Sequence, residues 1–318
     1  MPLAIAKCDN RKENIKKALM LLNEPIKDSI KSKDKLFIKI NTTAIKVPIA
    51  NTHPLALEAV LEYFSNYFKK IIIGDSTQCF KTNKQPYFYL KQKFSNITFS
   101  NLASSEFDIE PILFKQINGR SKIAYISLPK KDTLTISLAL PKSHDAVAFT
   151  GCSKNMFGCV IKRRSALHGL TRFDRIFLHK AVKGFRTANY NLLRVIERCK
   201  ANLAILDCHT GMEGNGPIFG KEIKLGFAMA SFDVLRLDKF AAELFNFDAP
   251  YLRKIKLENK ILNYGFNNID GLKRNFKKHY HYKLQINPNN AFGFDFRFPI
   301  YMVKYLMKFR LGHSLSKF

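Results

Sequence analysis

This 318-residue sequence has no tryptophan and few acidic residues for its number of basic ones. Tryptophan is absent, and 25 Asp and Glu residues stand against 53 Lys and Arg residues, for a formal net charge of +28. Such an excess of positive charge is typical of proteins that attract anions. We therefore expect an anionic small molecule as partner, with nucleic acid as the alternative partner of a protein without catalysis.

Cysteine is also scarce, with six residues at irregular spacing. Secreted domains held together by disulfides carry denser cysteines. Iron–sulfur clusters need cysteines in short runs such as C-x-x-C, and the sequence has none. We therefore expect a cytoplasmic protein with reduced thiols and without a self-contained iron–sulfur cluster. The lack of a cluster disfavours the remaining alternative function, that of an accessory redox protein.

Long apolar runs and flexible linkers are missing as well. No window holds the roughly 20 apolar residues that a transmembrane helix needs, and the first residues become charged too soon for a signal peptide. The basic, amphipathic "IYMVKYLMKFRLGHSLSKF" at 300–318 is a candidate for peripheral membrane contact or for a final packed helix.

Alternating strand and helix patterns are present instead. "KLFIKI" alternates like a strand, "LALEAVLEYFSNYF" has helical spacing after the N-cap candidate Thr52, and "KKIIIGDS" resembles a buried strand. This order predicts an α/β fold with a mostly parallel, mixed sheet, helices on both faces and additional shorter strands. The predicted core spans 1–250 as one domain or two packed lobes, 144–182 is loop-like, and 251–318 is a basic helical extension.

Four polar segments follow predicted strands: "NTTAIKVPIANTHP" (41–54), "GDST" (74–77), "PKSHD" (141–145) and "DCHTGMEGNGP" (207–217). Ligands of open α/β sheets bind beyond the carboxyl ends of the strands, so these segments are expected to share one anion site. The alternative for the glycine-rich segment is an ordinary tight turn. The candidate ligand-binding and cofactor-binding residues are Thr52, His53, Asp75, Lys142, Asn155, Gly211, Gly214 and Gly216.

Residues that transfer protons occur in the same segments and in "HDAVAFTGCSKNMFGCVIKRRSALH" (144–168). Histidine and carboxylate side chains exchange protons near neutral pH, and a lysine in a cationic field binds phosphate or acts as a nucleophile. Together they favour an enzyme of proton-transfer, isomerase or redox type. The candidate catalytic residues are His144, Lys154, His168, Asp207, His209 and Glu213.

Several quoted stretches resemble the domain of unknown function 362 family. The resemblance rests on "NTTAIKVPIANTHPLALEAVLEYF", "LALPKSHDAVAFTGCSKNMFGCV" and "ANLAILDCHTGMEGNGPIFG", and covers roughly residues 35 to 250. Some members of that family carry a ferredoxin-like module, whose cysteines are missing here. The biochemistry of the family is largely undefined.

A second stretch is similar to nickel-dependent lactate racemase. In that enzyme a histidine precedes a glycine-rich turn ending in a lysine, and another histidine follows. His144, Lys154 and His168 match this order, whereas Ser153 stands where the racemase has arginine. The resemblance implies a nickel-pincer-type nucleotide on Lys154, nickel bound by His168, and a proton moved by His144.

Overall fold

The computed structural model describes residues 1–42, 44, 47–75, 86–115, 120–161, 184–257 and 260–279. Its strands are β1 Leu3–Ala6, β2 Lys35–Lys39, β3 Lys70–Asp75, β4 Ile97–Asn101, β5 Phe107–Lys115, β6 Ser121–Pro129, β7 Thr133–Ala139, β8 Lys142–His144, β9 Ala148–Thr150, β10 Val160–Ile161, β11 Leu203–Glu213, β12 Lys221–Ser231 and β13 Ile261–Tyr264. Its α-helices are α1 Arg11–Met20, α2 Asn23–Ile30, α3 Pro54–Phe64, α4 Leu90–Lys93, α5 Cys152–Met156, α6 Gly184–Arg198 and α7 Val234–Leu244.

The main sheet has the strand order β13-β1-β12-β11-β7-β2-β3-β4. Each neighbouring pair from β11 through β7, β2 and β3 to β4 is parallel. β12 is antiparallel to both of its neighbours, so β1 runs in the same direction as β11. The carboxyl ends of β1, β2, β3, β7 and the first half of β11 consequently lie at one edge, as the sequence predicts for an α/β fold.

Helices cover both faces of this sheet, because its central strands are apolar on both sides. Every residue of β7 is buried, which is typical of a strand between two helical layers. One core contains Ile15 of α1 and Leu57 of α3, and the other contains Leu192 of α6 and Leu237 of α7. A separate antiparallel sheet, in the order β10-β6-β5, packs on the second core.

Three local predictions differ from the structure. The N-cap of α3 is His53, whose Nδ1 accepts the Leu55 N–H, because the Thr52 hydroxyl is occupied by the Asn41 N–H and the Leu138 carbonyl. The stretch expected to be a loop from residue 144 begins with β8, β9, α5 and β10, while 162–183 lie outside the described residues.

The third difference concerns the region expected to be a helical extension. Residues Ile261–Tyr264 form β13, which pairs in parallel with β1 at the edge of the main sheet. Among the described residues on either side of β13, from 250 to 279, the helical structure consists of short 3-10 turns at Pro250–Leu252 and Ile269–Leu272. The prediction of a helix for 280–318 lies outside the described residues.

Candidate functional site

A cleft of about 610 Å³ opens at the edge where the parallel strands end. Its walls come from the residues that follow β1, β2 and β7, from the middle of β11, and from the start of β12. The lining residues are Arg11, Pro48, Ile49, Asn51, His53, Leu140, Asp207, His209, Thr210, Glu222, Lys224, Leu225 and Gly226. Of the candidates drawn from the sequence, the structure brings His53, Asp207 and His209 together here.

An arginine and a carboxylate form the floor of the cleft. Arg11 Nε lies 3.1 Å from Asp207 Oδ2, and both side chains are less than a tenth exposed. Arg11 also donates from Nη2 to the Thr210 hydroxyl at 2.8 Å, and Asp207 Oδ1 accepts the His209 N–H at 3.1 Å. Arg11 Nε has no aligned hydrogen-bond partner among the described residues, so its contact with Asp207 is electrostatic.

Burial makes Asp207 a weaker acid than an ordinary aspartic acid. Loss of solvation raises the pKa of Asp207 to about 6, and the opposing effects of Arg11 and of the His209 N–H are smaller. A carboxyl group with a pKa near neutrality can both take up and release a proton at physiological pH. The cleft therefore holds a carboxylate suited to act as a general base.

Two histidines in the cleft have a defined tautomer. Asn14 Oδ1 accepts the Cys8 N–H, so the Asn14 amide nitrogen is the atom that faces His209 Nδ1, at 3.3 Å. His53 Nδ1 accepts the Leu55 N–H at 3.2 Å. Since Nδ1 is the acceptor in both neutral rings, Nε2 carries the proton in both.

The same two rings are held in the neutral form. Desolvation, followed by the charges of Arg11 and His209, lowers the pKa of His53 to about 4. Desolvation and the charge of Arg11 also lower the pKa of His209. At neutral pH each ring therefore presents an Nε2–H donor, and the cleft combines two neutral donors with one carboxylate base.

A β-bulge places His209 in this position. The pairing of β11 with β12 shifts its register between Cys208 and Thr210, so that two residues of β12, Leu225 and Gly226, lie opposite His209, and the φ of Gly226 is +82°. A bulge bends the strand and changes the direction of the side chain beside it, and glycine is the residue that adopts a positive φ without steric cost. The bulge lies at the point where β11 passes the ends of its parallel neighbours.

A second set of candidates lies in a buried network behind the cleft. Lys39 Nζ donates to Asp75 Oδ1 at 2.9 Å and to Asn155 Oδ1 at 3.2 Å. The Thr42 N–H and hydroxyl both donate to Asp75 Oδ2 at 2.7 Å. Desolvation alone would raise the pKa of Asp75, but Lys39 and Thr42 outweigh it and hold that pKa below its ordinary value.

This network fits tightly and contacts the wall of the cleft. A Cβ atom at Gly158 would lie 2.6 Å from Lys39 Nζ, so the network has no room for a side chain there. Asn155 Nδ2 and the Thr52 hydroxyl both donate to the Leu138 carbonyl. Through this bond Thr52 fixes the backbone next to His53. The sequence predicted that Thr52 binds a ligand, and the structure shows its hydroxyl bonded within the protein.

Lys142 is buried beside the same network. Its Nζ donates to the Ala50 carbonyl at 2.7 Å, at the end of the 3-10 turn Pro48–Ala50, whose residues Pro48 and Ile49 line the cleft. Desolvation and then the charge of Lys154 lower the pKa of Lys142 to about 7, against a smaller opposing effect of Asp75. Lys142 is therefore only partly charged at neutral pH.

His144 and Lys154 lie within electrostatic range of each other. His144 Nδ1 accepts the Ala146 N–H at 2.9 Å and is 3.0 Å from Asp145 Oδ1. Desolvation lowers the pKa of His144 in spite of Asp145, so the ring is neutral and its bond is to the Ala146 N–H. Lys154 Nζ lies 4.8 Å from the centre of the Phe157 ring.

The glycine-rich segment is engaged within the protein. Gly211 and Glu213 belong to β11, which is longer than the sequence pattern indicated. The Gly214 N–H donates to the Lys277 carbonyl and the Gly216 N–H to the Ser143 hydroxyl, while Glu213 accepts the Lys277 N–H. These two glycine N–H groups therefore stabilise the end of β11, and the residues lining the cleft do not include Gly211, Gly214 or Gly216.

Sequence reasoning missed Arg11, Thr210 and Lys39. Arg11 is the first residue of α1, directly after the Asn10 N-cap that follows β1, so its position after a strand was an available signal. Lys39 stands at a polar position of an alternating strand pattern, and side chains at such positions are usually solvent-exposed. His168 lies outside the described residues, so its predicted roles in catalysis and nickel binding stay predictions.

The described residues set limits on metal and membrane sites. Within them, no group of three or more His, Cys, Asp and Glu side chains is arranged to hold a metal ion. No helix in the same part of the chain combines the length and the apolar character needed to cross a bilayer. The similarity of His144, Lys154 and His168 to lactate racemase, and the nickel-pincer nucleotide it implies, stay predictions.

Comparison with known proteins identifies the family. A thylakoid-associated protein of Synechocystis sp. is 30% identical over 128 residues, which cover 40% of this chain and 37% of that protein. The chain thus matches well under two thirds of the relative's length. The family described as Domain of unknown function (DUF362) matches residues 36–243, a range that includes His53, Asp207 and His209. The chain belongs to the DUF362 family.

Proposed function

We propose that this protein is an enzyme that binds a small anionic molecule in the cleft and transfers a proton at a carbon next to a carboxyl or carbonyl group. The observation that carries the proposal is the convergence of two neutral Nε2–H donors, His53 and His209, with Asp207, a carboxyl group whose pKa is about 6. Neutral imidazole donors stabilise the negative charge that develops on oxygen when such a proton leaves.

The charges in the cleft favour an anionic ligand of modest size. Arg11 and Lys224 line it together with the carboxylates Asp207 and Glu222, and the charge of Arg11 lowers the pKa of both histidines, which places positive charge close to the two rings. A volume of about 610 Å³ falls within the range of small-molecule sites. Arg11 and Lys224 supply the attraction, the imidazoles hold the reacting oxygen, and Asp207 takes the proton.

Deuterium incorporation tests this proposal. A panel of 2-hydroxy-, 2-oxo- and 3-oxocarboxylates is incubated with the protein in D₂O, and exchange of carbon-bound hydrogen is followed by proton NMR against protein-free samples. We expect exchange in at least one compound class. Its rate should rise as the pH increases through about 6, where Asp207 ionises, and then stay level, because His53 is already neutral above about pH 4.

Other outcomes of this experiment would contradict the proposal. A rate that falls as the pH rises from 5 to 7 would exclude an ionised Asp207 as the base. Absence of exchange across the whole panel, with binding shown by thermal shift, would reduce the cleft to a binding site. A cytoplasmic location and contact with nucleic acid stay predictions for this chain.

A further inference from the structure

The outer face of the small antiparallel sheet is apolar and exposed. Side chains of a strand alternate between its two faces, so Ile109, Leu113 and Ile123 share one face, because Leu113 pairs directly with Ile123. These three side chains are 47%, 52% and 58% exposed. Ile112 and Phe114, at the alternate positions, are buried in the core. We call the face of Ile109, Leu113 and Ile123 the hairpin face.

Charge is segregated between the two sides of the same hairpin. Lys115 follows the parity of Leu113 and is exposed, and its Nζ lies 4.9 Å from the centre of the Tyr190 ring of α6. The acidic residues Asp108 and Glu110 occupy the alternate parity, and Glu110 pairs with Arg198 of α6 on that other side. At the paired positions of β5 and β6, the parity of the hairpin face therefore combines aliphatic side chains and a lysine with no carboxylate.

The edge of β5 is interrupted at Pro111 and Lys115, which disfavours pairing with a strand of another protein. The side chain of Asn191 accepts the Lys115 N–H and donates to the Lys115 carbonyl, both at 2.9 Å. Pro111 has the same parity as Lys115 and lacks an N–H altogether. Strand addition needs a row of available N–H and C=O groups, so the face is the surface left for contact.

We propose that the hairpin face docks the protein on an anionic lipid surface. Aliphatic side chains enter the boundary between headgroups and acyl chains, while cations are attracted by anionic headgroups. Lys115 supplies that attraction on the same strand as Leu113. A net charge of +28 adds long-range attraction to the same surface. This site is separate from the cleft.

Vesicle flotation tests this inference with the full chain. Vesicles of phosphatidylcholine alone and of phosphatidylcholine with phosphatidylglycerol are compared at low and high salt. We expect binding to the anionic vesicles, weakened by salt and reduced at least about tenfold in Leu113→Ser/Ile123→Ser, since each substitution removes an aliphatic group from the lipid. The matched control is Met20→Ser, which changes an equally exposed side chain, 55% exposed, at the end of α1.

Each other outcome overturns the inference. Equal flotation of the double variant and the wild type would place lipid contact elsewhere on the chain. Loss of binding in both the double variant and Met20→Ser would show that the lipid contact is not specific to the hairpin face. Absence of flotation of the wild type would show that the chain does not bind these lipids. A wild-type dimer in size-exclusion chromatography that the double variant converts to monomer would identify a second copy as the occupant. Unchanged thermal unfolding midpoints show that the variants are folded.

Discussion

Replacement of Asp207 by asparagine is expected to lower the rate of deuterium exchange at least about 100-fold, the usual contribution of a positioned general base. Asparagine has nearly the same size, and its amide oxygen still accepts the His209 N–H that Asp207 Oδ1 accepts at 3.1 Å. It cannot accept a proton from carbon. Exchange at saturating ligand should therefore fall, while the dissociation constant for the same ligand changes by only a few-fold.

The matched control is Glu222→Gln, because Glu222 is another carboxylate that lines the same cleft. Glu222 is solvent-exposed, whereas Asp207 is buried and in contact with Arg11. The Glu222 variant should keep its exchange rate within a few-fold of the wild type. A wild-type rate in Asp207→Asn, or an equal loss in both variants, would contradict the assignment of Asp207 as the base.

Replacement of Lys39 by methionine is expected to lower the free energy of unfolding by about 3–5 kcal/mol. Lys39 is 1% exposed and Asp75 is 5% exposed, so removal of the ammonium group leaves a carboxylate buried without its cation. Asn155 loses a donor at the same time. Urea unfolding measures the change, with the slope of the transition expected to stay constant.

Lys35→Met is the control for this prediction, since Lys35 lies on the same strand as Lys39 and also forms an ion pair with an aspartate. Lys35 Nζ is 3.0 Å from Asp132, but these side chains are 30% and 38% exposed. A surface pair of this kind contributes about 0–1 kcal/mol. Equal losses of the free energy of unfolding in the two variants would show that the buried Lys39–Asp75 pair stabilises the protein no more than an exposed pair does.

The sequence was sufficient to predict that polar segments from several strands meet at one edge of the sheet. The β-α-β order fixes the direction of parallel strands, so the polar residues after β2, β7 and within β11 had to meet. That reasoning placed His53, Asp207 and His209 correctly in one region. It grouped them with Asp75, Lys142 and Asn155, which lie in the buried network instead, because sequence spacing does not show which side chains turn inward.

Contacts between distant parts of the chain were beyond sequence reasoning. Arg11 bonds to Thr210, 199 positions further along, and only the pairing of β1 through β12 to β11 brings them together. Glycine content was misleading for a related reason. Gly214 and Gly216 permit a tight turn, but their N–H groups bond to Lys277 and Ser143, which composition does not predict.

The protonation of the two histidines tests the central claim most directly, because the proposed chemistry requires both rings to be neutral Nε2–H donors. Long-range proton–nitrogen NMR spectra of the ring nitrogens, assigned with His53→Gln and His209→Gln, report the tautomer and charge of each ring. We predict that both rings carry a proton on Nε2 alone at pH 7 to 8, and that the His53 ring keeps this form down to pH 5. A His53 ring protonated on both nitrogens at pH 6, or a proton on Nδ1 of either ring at pH 7 to 8, would contradict the account.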